Sequence, residues 1–181
     1  MKKIIIALLL LASPAFAERK VTKYTTATKS DGSALAVTAG AYAANDSVGG
    51  LLKFSDALCP EAGGGAVNSV IVTDKAGNAV QYGLVLYRSL PSGTFTNDAA
   101  TDPTDADLVL GLPPITIQSS DCRAFADNGV CSITGLDSSV YSITPSSTSV
   151  AGTLYGVLIA DGTPTYASTS DVNVIIGVKC D

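Results

Sequence analysis

The chain has 181 residues, of which 46% are hydrophobic, with no histidine or tryptophan and a net charge of −5. The lack of histidine excludes Ser-His-Asp and Cys-His nucleophilic catalysis and most zinc-dependent hydrolysis. The sequence contains no phosphate-binding glycine loop or dinucleotide fingerprint, so it predicts no cofactor. An acidic surface repels nucleic-acid phosphates, and we therefore expect no nucleic-acid partner.

Residues 1–17 have the pattern of a cleavable export signal. Two lysines precede the apolar run Ile4–Ala12, and Ala15–Ala17 is the small-x-small pattern after which signal peptidases cut. The apolar run is shorter than the ~20 residues that cross a bilayer, so cleavage is favoured over a retained anchor. We expect one exported domain, residues 18–181, in the periplasm, outside the cell or at its surface, with no stable membrane insertion. Its net charge would be −7, because the leader takes two lysines with it.

Beyond residue 17 the sequence predicts strands and turns. Gly, Ser, Thr, Ala and Val dominate, and no stretch of a dozen residues has the 3.6-residue apolar period of a helix. The predicted strands are Val21–Thr28, Ala34–Thr38, Ser47–Phe54, Asn68–Thr73, Val80–Tyr87, Ile115–Gln118, Val130–Ile133, Tyr141–Ile143, Thr153–Ala160 and Asp171–Lys179.

Alternation within these strands predicts the fold class. Every second residue is apolar along Val80–Tyr87 and along Asp171–Lys179, as in sheets with one face on a core. Many short strands of this kind favour an all-β fold, an antiparallel β-sandwich of jelly-roll-like form. Asp74–Asn78 predicts a hairpin turn with glycine at positive φ. Asp102–Leu108 predicts a single helical turn with Asp102 as its N-cap.

The four cysteines predict disulfide bonds. They are Cys59, Cys122, Cys131 and Cys180, and an even number in an exported chain favours two bridges. We favour Cys122 with Cys131, which closes a short loop, and Cys59 with Cys180, which ties the last strand to the body. Spacing alone leaves the other two pairings open. A zinc site is disfavoured because the chain has neither histidine nor a C-x-x-C pair.

Two groups of carboxylates are the candidates for chemistry. The first, the acidic segment, consists of Asn97, Asp98, Asp102, Asp105 and Asp107. Loop oxygens of this kind bind calcium, but the spacing matches no defined calcium loop, and turn and cap roles explain the same residues. The second is a glycosidase pair drawn from Asp105, Asp121 and Asp161. Such a pair needs two carboxyl groups at a fixed separation, which the sequence does not provide. The favoured prediction is that no residue is catalytic or metal-binding.

Three features are candidates for binding surfaces. The loop Gly162–Asp171 is either a partner contact or a strand connection in which Pro164 blocks pairing. The run Val172–Val178 would pair edge to edge with a second copy if it were an edge strand. Five tyrosines would form a glycan platform if they were exposed, although aromatic residues at alternating positions are more often core. They are Tyr82, Tyr87, Tyr141, Tyr155 and Tyr166.

Several segments, taken in order, resemble a family of small uncharacterised virion proteins of tailed bacteriophages. The segments are Tyr42–Phe54, Val70–Lys75, Pro103–Leu108, and Leu154–Val157 continuing through Gly162–Asp171. The resemblance implies a non-enzymatic, capsid-associated structural β-domain of decoration type, and it implies no catalytic residue. Two features depart from the family pattern: relatives typically lack an export signal, and the four cysteines are unusual.

These observations favour three functions, in decreasing order. The first is a structural, decoration-like protein of a virus particle. The second is an exported bacterial module that self-assembles or adheres at the cell surface. The third is a glycan-binding domain. The expected partners are further copies of the chain or a capsid or surface protein.

Overall fold

The computed structural model describes residues 21–59, 64–137, 139, 141–143 and 152–180. The predicted export signal, residues 1–17, lies outside them. In the described part the strands are β1 (Val21–Thr26), β2 (Thr28–Lys29), β3 (Gly40–Ala41), β4 (Ser47–Phe54), β5 (Gly65–Asp74), β6 (Tyr82–Tyr87), β7 (Ile115–Ile117), β8 (Cys122–Ala124), β9 (Gly129–Thr134), β10 (Ser142–Ile143), β11 (Leu154–Ala160), β12 (Thr165–Tyr166) and β13 (Val172–Cys180).

The strands form two antiparallel sheets that share one core. Sheet A has the order β1-β13-β5-β9-β8, with β10 also paired to β5. Sheet B has the order β2-β4-β11-β6-β7, and β3 pairs with β12 in a separate ribbon. The predicted all-β fold, an antiparallel β-sandwich, is confirmed.

Strand alternation places one face of each sheet in the core. In β13, Val172, Val174, Ile176 and Val178 are buried, whereas Asn173 on the opposite face is exposed. The predicted inward face of the last strand is therefore confirmed. The sheet B members of the same core cluster include Leu52, Phe54, Leu84, Leu86, Leu154 and Leu158.

The last strand is not an edge strand, so the predicted edge-to-edge pairing through Val172–Val178 is wrong. β13 pairs with β1 on one side and with β5 on the other, and β1 and β8 are the edges of sheet A. Both flanks of β13 are hydrogen-bonded, so this strand has no free backbone groups for a second copy.

The turn Asp74–Asn78 does not connect a hairpin, contrary to the sequence prediction. β5 lies in sheet A and β6 in sheet B, because both sides of β5 are already occupied by β13 and β9. The Asp74 carboxylate reverses the chain by accepting hydrogen bonds from the amides of Ala76 (2.8 Å) and Asn78 (3.0 Å). Gly77 has the predicted positive φ of 72°.

The predicted strand Ala34–Thr38 is also wrong. Only Ala34 pairs, in an isolated bridge to Thr28. Leu35 is buried and fills the space beside Gly49, where φ is +84° and a Cβ would clash with the Leu35 side chain. The packing of Leu35 and single hydrogen bonds from the amides of Val37 to Thr169 and of Thr38 to Tyr42 anchor this segment without a strand ladder.

The single helix of the described residues, α1 (Asp105–Leu110), starts later than predicted. Its N-cap is Thr104, not Asp102, whose main chain instead bonds to Thr94. Within the described part of the chain, no helix is long and apolar enough to cross a membrane. The sequence analysis missed β3, β8 and β12, which have only two or three residues each.

Both favoured disulfide pairings are present. Cys59 bonds to Cys180 across 121 residues, and Cys122 bonds to Cys131 across nine. The long bridge fixes the end of β13, and the short one joins opposed residues of β8 and β9. Two disulfides indicate an oxidising, non-cytoplasmic environment.

We expect the long bridge to contribute more stability than the short one. Replacing Cys59 and Cys180 by serine lowers the free energy of unfolding by about 5 kcal/mol in the chain-entropy model, against about 3 kcal/mol for Cys122 and Cys131. Urea unfolding of the two double variants of residues 18–181 measures both. An equal or larger loss from the short bridge would contradict the proposed importance of anchoring β13.

Candidate functional site

A pocket of about 390 Å³ opens on the face of sheet B that points away from the core. Its floor comes from the outward residues of two neighbouring strands, β6 and β11. Val85 lies opposite Val157 in the strand register, and Tyr87 and Ile159 complete the floor. Alternation explains this placement, because Leu84 and Leu86 of β6 point into the core and leave their neighbours on the outer face. The other lining residues are Phe95, Thr101, Pro103, Leu108, Gly111, Leu112, Pro113 and Pro114.

The segment 88–114, which we call the roof, covers this floor and is held to sheet B by main-chain hydrogen bonds. At one end the Leu112 amide donates to the Leu86 carbonyl (2.7 Å), beside a bridge between Tyr87 and Gly111. Farther along, the Ser47 amide at the start of β4 donates to Ala99 (2.8 Å). The roof is thus attached to two different strands of the sheet.

Asp107, from the acidic segment, organises the roof internally. Its carboxylate accepts hydrogen bonds from the amides of Ser92 (2.8 Å), Gly93 (2.7 Å) and Thr104 (2.9 Å), and from the Thr104 hydroxyl (2.8 Å). The Asp107 amide in turn donates to the side-chain oxygen of Thr104 (3.4 Å), which completes a capping box. Burial opposes ionisation of Asp107, but the bonds from Ser92, Thr104 and Gly93 outweigh it and lower its pKa to about 2.

Asn97, also from the acidic segment, connects the roof to the sandwich. Its Oδ1 accepts from the Tyr42 hydroxyl (2.7 Å) and from the Gly49 amide (2.7 Å), and its Nδ2 donates to the Thr38 hydroxyl (2.9 Å). The side-chain oxygens of Asn97 and Asp107 are therefore occupied by protein donors. Among the described residues no three Asp, Glu, Cys or His side chains form a group that could hold a metal ion.

The three candidate glycosidase acids lie on different elements. Asp105 begins α1, and Asp121 lies in a single 3-10 turn, where its carboxylate accepts from the Gln118 amide (2.9 Å). Asp161 follows β11 and accepts from Gln81 (3.1 Å). None of these contacts joins two of the acids.

The candidate platform tyrosines are mostly interior. Tyr82, Tyr87, Tyr155 and Tyr166 are buried, and Tyr141 is half-buried, so these residues do not form an exposed platform. Their burial fits the alternating strand positions that they occupy.

Tyr82 and Tyr166 belong to a buried hydrogen-bonded chain. Their hydroxyls are 3.0 Å apart, and the Tyr82 hydroxyl also lies 3.5 Å from the Asp74 carboxylate. The Tyr166 ring packs edge-on against Tyr42, with ring centroids 5.2 Å apart. Burial raises the pKa of both tyrosines in this pair and that of Asp74.

The loop Gly162–Asp171 is held down internally. Tyr166 of this loop is buried in the core. The Asp171 carboxylate at the end of the loop accepts hydrogen bonds from the amides of Ala167 (2.9 Å) and Ser168 (2.8 Å). Asn78 and Thr165 exchange two further hydrogen bonds. These contacts match the strand-connection interpretation of the loop.

The pocket lining contains no charged side chain. The Tyr87 side chain is only 3% exposed, yet its hydroxyl makes no hydrogen bond with any described residue. Burial raises the pKa of Tyr87, and the negative charge of Asp107 adds to the shift. The site is thus an apolar pocket whose lining includes two hydroxyls, those of Tyr87 and Thr101, that bond to no described residue.

The sequence analysis did not find this pocket. Its lining residues come from two strands and a roof that are distant in sequence, and outward strand residues carry no periodic signal of what covers them. The sequence did contain one local signal, the apolar run Leu108–Leu110 shortly before the paired prolines Pro113 and Pro114. In the structure Leu108 and Val109 of this run are 65% and 85% exposed on α1.

No protein-family model, curated protein or solved structure matches this chain.

We expect Asp107→Asn to lower the free energy of unfolding by about 1–3 kcal/mol at neutral pH, because buried amides lose an ionised acceptor. The folded pKa of about 2 lies below the ordinary value of 3.8, so this contribution is present above pH 3.8 and is lost as pH falls toward 2. Urea unfolding at several pH values measures it.

Asp105→Asn is the matched control, since Asp105 is an exposed acid on the same helix. We expect it to change the free energy of unfolding by less than about 0.5 kcal/mol. Equal effects of the two substitutions, or a difference that does not shrink between pH 7 and pH 2, would contradict the role assigned to Asp107.

Proposed function

We propose that the chain is a non-enzymatic structural protein that is exported, loses residues 1–17, and decorates the surface of a larger protein particle. The observation that carries the export part of the proposal is the pair of disulfides, and the strand order carries the structural part. Cys59 and Cys131 are buried within the sandwich, so their bonds are part of the folded core. Such bonds form and persist in oxidising compartments, which supports export.

The use of the polar side chains supports a structural role. Asp74 holds a turn, Asp107 the roof, and Asp171 a loop, each through hydrogen bonds to main-chain amides. Asn97 ties the roof to the sandwich in the same way. The side chains that chemistry would use are thus engaged in maintaining the shape of the domain.

The strand order supports a jelly roll. If β1, β4, β5, β6, β7, β9, β11 and β13 are numbered one to eight, sheet A reads 1-8-3-6 and sheet B reads 2-7-4-5. Apart from strands 4 and 5, all neighbours within a sheet are then non-consecutive in sequence, as in a ribbon of paired strands rolled into two sheets. Jelly rolls are common in viral capsid and lectin domains, which supports a particle-associated role by fold analogy.

The resemblance of Tyr42–Phe54 and the later segments to tailed-phage virion proteins points to the same role. A second candidate is an exported bacterial surface module that assembles with copies of itself. The disulfides favour this alternative, because phage capsids assemble in the reducing cytoplasm of the host.

Light scattering on oxidised residues 18–181 tests the structural role. We expect a closed oligomer or a regular assembly, because a decorating or polymerising protein carries a self-complementary surface. A monomer at all concentrations would contradict self-association.

Fractionation of the producing culture separates the two candidates. Recovery of the chain in purified particles supports the decorating role, and its recovery in the cell-surface fraction alone supports the surface module. Uniform recovery as free protein would contradict both.

A further inference from the structure

We infer that the pocket on the outer face of sheet B binds a neutral, mainly apolar small molecule whose single oxygen acceptor is hydrogen-bonded by the Tyr87 hydroxyl. This ligand site goes beyond the structural role and does not depend on it. The volume of about 390 Å³ lies within the range of small-molecule sites.

The floor of the pocket is fixed before a ligand arrives. β6 and β11 are interior strands of sheet B, each hydrogen-bonded on both sides. Val157 and Tyr87 are almost completely buried, and the Tyr87 ring contacts Phe95 of the roof with centroids 5.7 Å apart. A ligand therefore meets a preformed apolar surface, which reduces the entropic cost of binding.

The roof is fixed as well. The Asp107 carboxylate, in the first turn of α1, accepts hydrogen bonds from the amides of Ser92 and Gly93. Thr94 and Asp102 exchange two main-chain hydrogen bonds (3.0 and 3.1 Å). These contacts fix the internal shape of the roof, which is bonded to β6 and β4.

The Tyr87 hydroxyl specifies the polar feature of the ligand. It belongs to a side chain that is more than nine-tenths buried and lines the pocket, and no described residue bonds to it. A ligand oxygen that accepts from the Tyr87 hydroxyl therefore gains a hydrogen bond without displacing a protein partner.

The lining favours a neutral ligand. It holds no charged side chain, since Arg88, Asp102, Asp105 and Asp107 belong to the roof but none of them lines the pocket. A carboxylate would be desolvated against apolar walls with no cation in the lining to pair with it. A neutral alcohol, ketone or ester avoids this penalty.

The rim of the pocket provides a matched pair of test positions. Leu108 lines the pocket and is 65% exposed, whereas its neighbour Val109 is 85% exposed and does not line it. Substitutions at both positions affect the same exposed helix, but only one of them changes the pocket.

The test is a titration of oxidised residues 18–181 with Nile red, a neutral apolar dye with one ring carbonyl, followed by its fluorescence. We expect saturable binding at one site. Leu108→Asp weakens it at least about 10-fold, and Val109→Asp changes it less than about 2-fold, since only the first places a charge in the lining. Tyr87→Phe weakens binding about 3- to 10-fold, as loss of one hydrogen bond predicts.

Competition tests the charge preference. We expect dodecanol to displace the dye at lower concentration than dodecanoate at pH 7. Thermal melting of each variant verifies that it is folded. Four results would each overturn the inference: no saturable binding, equal effects at Leu108 and Val109, unchanged affinity of folded Tyr87→Phe, or stronger competition by dodecanoate. The first is also what a pocket reserved for a partner's side chain predicts.

Discussion

The central position of the last strand in sheet A is the constraint on which the rest of the structure depends. β13 supplies Val174, Ile176 and Val178 to the core and pairs on both sides, so sheet A cannot close until the C-terminal residues have returned to the middle of the domain. The bridge between Cys59 and Cys180 holds the end of that strand across 121 residues. Bringing two such distant residues together costs the free chain much conformational entropy. Once the disulfide has formed, the unfolded chain is already closed at this point, so folding no longer has to overcome that cost.

The sequence predicted features that local alternation determines. The positions of β4, β11 and β13 followed from alternation and turn residues, and so did the inward face of β13. Strand partners could not be predicted in the same way, because pairing depends on which edges are already occupied. The turn after Asp74 has every local property of a hairpin, yet it passes between sheets since β9 and β13 flank β5.

The acidic segment shows a second limit of the sequence. Asp107 and Asn97 have the residue types of calcium ligands, and in the fold their oxygens accept hydrogen bonds from main-chain amides instead. Sequence spacing does not reveal which donors a carboxylate will meet, although the cap role was foreseen as one alternative. The same bonds hold the roof above sheet B, and the roof creates the apolar pocket. A polar segment that suggested metal chemistry thus serves to shape an apolar site.

These features describe a domain whose polar residues maintain its shape and whose two disulfides indicate an oxidising, non-cytoplasmic environment. The most direct test is mass-spectrometric peptide mapping, without reduction, of the protein recovered from cells that express the chain from Met1. The account predicts an N-terminus at Glu18 and linked peptides joining Cys59 to Cys180 and Cys122 to Cys131, in the periplasm or the medium. A full-length cytoplasmic chain that begins at Met1 and carries four free thiols would contradict it.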